Sequence, residues 1–64
     1  MLSTAKLRKA RKDAELTQEQ AALKAGLSGK QSWNNIERGR VDVTLATLTK
    51  IAKALGVKAK DLLK

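Results

Sequence analysis

Residues 16–39 read LTQEQAALKAGLSGKQSWNNIERG, and two helix starts and two helix stops can be picked out of this one stretch. Thr17 and Gln20 have capping-box spacing, in which the Thr hydroxyl takes an orphan N–H and the Gln side chain reaches back. Gly26 supplies a left-handed stop, so the pattern predicts a helix over 18–25. Ser28 and Gln31 repeat the box spacing, Trp33 and Ile36 lie three apart behind them, and Gly39 closes the run, which predicts a helix over 29–38. Only Gly26-Leu27-Ser28 separates the two, a length and composition that suit the sharp crossing of a helix-turn-helix.

On the N-terminal side, Ser3 is a good N-cap, and Leu7, Ala10 and Ala14 follow at i, i+3 and i+7, which predicts a first helix over 3–14. On the C-terminal side, Thr44 caps a segment whose Leu45, Leu48, Ile51, Ala52 and Leu55 form a helical stripe ending at Gly56. Ala59, Leu62 and Leu63 are enough for a closing turn or two. No strand-like alternation, repeat or Gly/Ser linker divides the chain. The expectation is one all-α domain over 1–64, a compact bundle of about five short helices with the helix-turn-helix at helices two and three.

Composition narrows the function. The 64 residues contain no Cys and no His, which excludes zinc fingers, disulfide frameworks, iron sites and Cys or Ser-His nucleophile systems. Fourteen Lys and Arg against six Asp and Glu give a net charge of +8, so the favoured partners are polyanions, nucleic acid first and anionic membrane second. Lys6, Arg8, Lys9, Arg11 and Lys12 interrupt the N-terminal segment, leaving no signal-peptide core, and no apolar run approaches the ~20 residues of a membrane span. A cytoplasmic protein is expected.

At about 100° per residue, Trp33, Ile36 and Glu37 cluster on one side of the third helix, and Gln31, Asn34, Asn35 and Arg38 fall opposite. Gln31 and Asn35 lie one above the other at i and i+4. Amide side chains donate and accept together, which suits adenine N6 and N7 in a major groove. Gln31, Asn34 and Asn35, with Lys30 beside them, are therefore the candidates for base contact. Glu37 is the acid on the inward side and needs a partner. Lys50, Lys53, Lys60 and Lys64, spread over the closing helices, read as solvated charges that add to the long-range field.

Several blocks now stand in a familiar order: Leu16-Thr17-Gln18-Glu19, Ala22, Lys24-Ala25-Gly26-Leu27-Ser28, Ile36-Glu37-Arg38-Gly39, Thr47-Leu48, Lys50 through Val57, and Asp61-Leu62-Leu63. Over nearly the whole chain they resemble the Xre/Cro family of lambda-repressor-like DNA-binding domains. The resemblance implies a bundle of about five helices whose third enters the major groove. It implies phosphate contacts from Thr17 and Gln18 at the start of helix two and from Arg38 and Arg40 at the end of helix three, to which Lys6 is added. It also implies an ion pair between Glu37 and Arg11 on helix one, and family members commonly bind two-fold operators as dimers. Here a weak homodimer formed on DNA is expected, because no evident dimerisation segment follows the fifth helix.

The chain departs from the family's usual pattern at a few places. Between Ser28 and Glu37 it carries one more residue, most simply Gly29, which either lengthens the turn or starts the third helix a residue earlier. Trp33 stands where the family usually has Ile or Val, and Ala21 where it usually has Leu, so the ring is a candidate to fill the space left by the small neighbour. Leu23 stands where a polar residue is usual, and Lys58 where a capping Ser or Thr is common, which should weaken the last helix.

Other motifs fail. Gly29-Lys30 suggests a phosphate loop, yet Lys24 stands where its first Gly belongs and Gln31 replaces the required Ser or Thr. The six carboxylates are few and flanked by cations, so no enzyme, cofactor or small-molecule substrate is expected. The resulting expectation is a sequence-specific double-stranded DNA-binding regulator, most simply a repressor. Its rivals are an interaction module (antitoxin or adaptor) that uses exposed Leu23 and Trp33, and a cationic membrane-surface helix, which the punctuating glycines disfavour.

Overall fold

Three hydroxyl side chains start three of the helices in the computed structural model, which describes residues 2–64. Ser3 Oγ accepts from Lys6 N–H at 3.2 Å and opens α1, Thr4–Asp13. Thr17 Oγ1 accepts from Gln20 N–H at 3.1 Å, while Gln20 Oε1 takes Thr17 N–H at 2.9 Å, and this reciprocal box opens α2, Gln18–Lys24. Thr44 Oγ1 accepts from Thr47 N–H at 3.2 Å and opens α4, Leu45–Leu55. Between them α3 spans Lys30–Glu37, and a 3-10 helix, Ala59–Leu62, closes the chain.

The chain is all-helical as expected, with two corrections. Four α-helices and a 3-10 turn replace five helices, because Lys58 offers no capping oxygen and only Asp61 Oδ2 accepts its N–H, at 3.2 Å. The Ser28–Gln31 capping box does not form. Gly29 is extended (φ 159°, ψ −171°) and is itself the N-cap, which puts Ser28 one position too early. The Ser28 hydroxyl bonds Ser32 Oγ at 2.6 Å instead. Gly29 therefore lengthens the turn and leaves the start of α3 at Lys30.

The core gathers Leu7 from α1, Ala21, Ala22 and Ala25 around α2, Trp33 and Ile36 from α3, Leu48, Ile51, Ala52 and Leu55 from α4, and Leu62. Because α2 gives only alanines to this cluster, α3 can approach it closely, and Trp33, fully buried, supplies the bulk. Leu45 does not join the α4 stripe. It is the first residue of the helix and is 76% exposed. The chain ends are tied together by Ser3 N–H donating to Leu62 C=O at 2.7 Å and by an isolated antiparallel bridge between Leu2 and Leu63.

All four α-helices end in one motif, with a glycine in the left-handed position after α2, α3 and α4 and Glu15 in that position after α1. After α2, Gly26 at φ 75° lets Leu27 N–H reach Ala22 C=O at 2.9 Å; after α1, Leu16 N–H reaches Arg11 C=O at 3.2 Å through Glu15 at φ 58°. A side chain in the left-handed region costs roughly 1–2 kcal/mol, offset in part by the extra freedom of glycine in the unfolded chain. Glu15→Gly is therefore expected to stabilise the fold by about 1 kcal/mol. A denaturant midpoint at or below that of the parent chain would contradict this.

Candidate nucleic-acid interface

The outward side of α3 carries Gln31, exposed, and Asn35, half-buried, and Gln31 Nε2 donates to Asn35 Oδ1 at 3.2 Å. This bond leaves Gln31 Oε1 free to accept and Asn35 Nδ2 free to donate, one of each, side by side. Lys30 is exposed and lines a shallow depression with Arg11, Thr17, Gln18 and Glu19 at the start of α2. Asn34 faces a different way: it is half-buried, and its Nδ2 donates to Gln18 Oε1 at 3.3 Å, joining α3 to α2. Arg38 and Arg40 are exposed at the end of α3 and beyond Gly39. Lys6 is exposed on α1, and its Nζ donates to Leu63 C=O at 2.8 Å near the seam between the chain ends.

Behind this surface sits Glu37, with 2% of its side chain exposed. Arg11 Nε donates to Oε2 at 2.6 Å, Arg8 Nε approaches Oε1 at 3.4 Å, and the Trp33 indole N–H donates to Oε2. Arg11 also donates to Leu16 C=O at 2.8 Å, so one guanidinium ties α1, α3 and the turn into α2 together. Burial pushes the Glu37 carboxyl upward. The bonds from Arg11 and Trp33, the Arg11 charge and the nearby Gln18 amide outweigh it and hold the pKa below its ordinary value.

A carboxylate whose pKa is depressed by folding contributes stability that is fully present above its unfolded value, ~4.3, and lost as pH falls through the folded value. Acid unfolding of the parent chain is therefore expected to be steeper below pH ~4 than that of Glu37→Gln. Parallel acid limbs in the two titrations would contradict it.

A family model described as helix-turn-helix matches residues 7–62. The chain belongs to this family, in its Xre/Cro, lambda-repressor-like branch. The crystal structure of the restriction-modification controller protein C.AhdI from Aeromonas hydrophila superposes on this helix-turn-helix domain with a TM-score of 0.88 at 32% identity, covering 94% of this chain and 89% of that one. A search of curated proteins found no match.

The interaction-module alternative counted Trp33 among its exposed contact residues, and that is corrected: the ring is fully buried, on the inward side of α3 where helical spacing put it. Leu23, by contrast, is 64% exposed. Two members of the Glu37 cluster were missed, Arg8 and the Trp33 N–H. Both were legible in spacing, since Arg8 and Arg11 are three apart on α1 and Trp33 and Glu37 four apart on α3. Among the described residues no helix is long and apolar enough to cross a membrane, and no group of three or more His, Cys, Asp or Glu comes together to hold a metal ion.

Proposed function

We propose that this helix-turn-helix domain is a transcriptional regulator, most simply a repressor, that lays α3 in the major groove of a specific duplex sequence. The observation that carries this reading is the Gln31–Asn35 pair. Its bond leaves one acceptor and one donor adjacent on the exposed side of a helix whose other side is locked into the core. Adenine presents the complementary pattern, an N6 donor and an N7 acceptor. Lys30, next to the pair, suits guanine O6 and N7.

Around this reader, donors and positive charge suit phosphate. Thr17 and Gln18 stand at the start of α2, and Arg38 and Arg40 follow α3. The net charge of +8 supplies the long-range attraction. Lys6, exposed on α1, is the further addition to this set. The solved neighbour is named a controller protein, which supports a regulatory role. Binding as a weak homodimer on a two-fold operator, in the cytoplasm and without cofactor or catalysis, completes the proposal.

Readout and positioning separate by mutation. Gln31→Ala or Asn35→Ala should cost ~1 to 3 kcal/mol on the preferred site, relax preference at one or two base pairs, and leave non-specific binding nearly unchanged. Arg40→Ala should weaken all duplexes alike and reduce the salt slope by about one per protomer. If all three variants lost affinity equally on every sequence, α3 would not be the reading helix.

A further inference from the structure

The bond between Asn34 and Gln18 fixes more than the distance between two helices. An amide has an acceptor end and a donor end, and Asn34 takes the acceptor end of Gln18: Asn34 Nδ2 donates to Gln18 Oε1 at 3.3 Å. With its carbonyl so engaged, Gln18 is left with the NH2 to offer a further partner. Gln18 also lines the open depression it shares with Arg11, Thr17, Glu19 and Lys30, where Lys30 is the exposed cation beside it. Of the two ends of its amide, the NH2 suits a phosphate and the carbonyl repels one.

Resting on the DNA-binding reading above, we propose that Asn34 is a positioning residue for the backbone contact and not a base reader: by capping Gln18 Oε1 it holds the Gln18 amide with its N–H groups toward a DNA phosphate. The polarity runs in one direction: Asn34 donates to Gln18, and Gln18 presents its donors to the DNA backbone. Without the cap, the amide is free to rotate and present its carbonyl to the phosphate for part of the time. Asn34 is half-buried, with its amide turned to Gln18 on α2, while Gln31 is exposed.

The test is a cycle of Asn34→Ala, Gln18→Ala and the double variant, each bound to the preferred duplex and to an unrelated duplex over a range of salt, with folding checked by thermal unfolding. Asn34→Ala should lower affinity about 3- to 10-fold, the effect of one hydrogen bond, and equally on both duplexes. In the Gln18→Ala background it should have no further effect. Asn34→Ser, which keeps a donor, should recover part of the loss and serves as the folded comparison should Asn34→Ala be unstable. Independent, additive losses would overturn the assignment, as would a loss confined to the preferred duplex with changed base preference. If the parent chain bound no duplex at all, the DNA-binding reading would fall and the assignment with it; additive losses in a parent that does bind overturn the assignment alone.

Discussion

Glu37→Ala is expected to destabilise the domain by about 3 to 5 kcal/mol, which leaves most of the chain unfolded in ordinary buffer, because a small core of this size rarely supplies more than ~3–5 kcal/mol. The reason is what remains after the carboxylate is gone. The Arg11 guanidinium, with 13% of its side chain exposed, loses its acceptor, and so does the buried Trp33 indole N–H. Glu37→Gln keeps one acceptor and should cost less, about 1 to 3 kcal/mol. Replacing the pair together, with Arg11→Met and Glu37→Leu, should cost less than the sum of the two single changes, since apolar residues of similar size can substitute for a buried ion pair while the Trp33 N–H still loses its acceptor. Urea unfolding of the five variants, with Arg11→Met and Glu37→Leu made singly as well as together, checks this. A loss below ~1 kcal/mol for Glu37→Ala would show that the cluster is not a structural clamp.

Trp33→Ala should be comparably severe, about 3 to 5 kcal/mol, since it removes the largest fully buried side chain and the donor to Glu37 in one step. Ala21 belongs to the same buried cluster and offers the small side chain that accompanies the ring. Adding Ala21→Leu to Trp33→Ala should therefore recover part of the loss, while Ala21→Leu alone overpacks the parent core at a cost of ~1–3 kcal/mol. Thermal unfolding of the three variants closes the cycle. Additive effects would mean that the two positions do not share one space.

Most helix boundaries could be read from the sequence because they are set by local chemistry. Ser3, Thr17 and Thr44 cap as their hydroxyls predict, and Gly26, Gly39 and Gly56 adopt the left-handed stops. The Ser28–Gln31 box was misread because one extended residue, Gly29, shifts the start of the helix, and spacing alone does not reveal which backbone state a glycine takes. Leu45 fits the α4 periodicity and is still exposed, because periodicity gives a direction and not the reach of the core in that direction. Nor could the sequence show that Glu15 would take a left-handed conformation, since that is imposed by the path from α1 to α2.

At the interface, the wheel separated inward Trp33, Ile36 and Glu37 from outward Gln31 and Asn35, which is how they lie. It also grouped Asn34 with the outward set. Asn34 lies at the edge of that face, where the neighbouring Gln18 decides its bonding, and a single-helix projection does not contain the neighbour.

Selection of binding sites from a random duplex pool by the full chain tests the central claim most directly. Enrichment of one short motif is expected, in two-fold related copies spaced by about one helical turn, ~10 base pairs, with affinity that falls steeply with salt and a motif that changes in Gln31→Ala and Asn35→Ala. A pool that stays random after selection, or a motif that both variants leave unchanged, would contradict it.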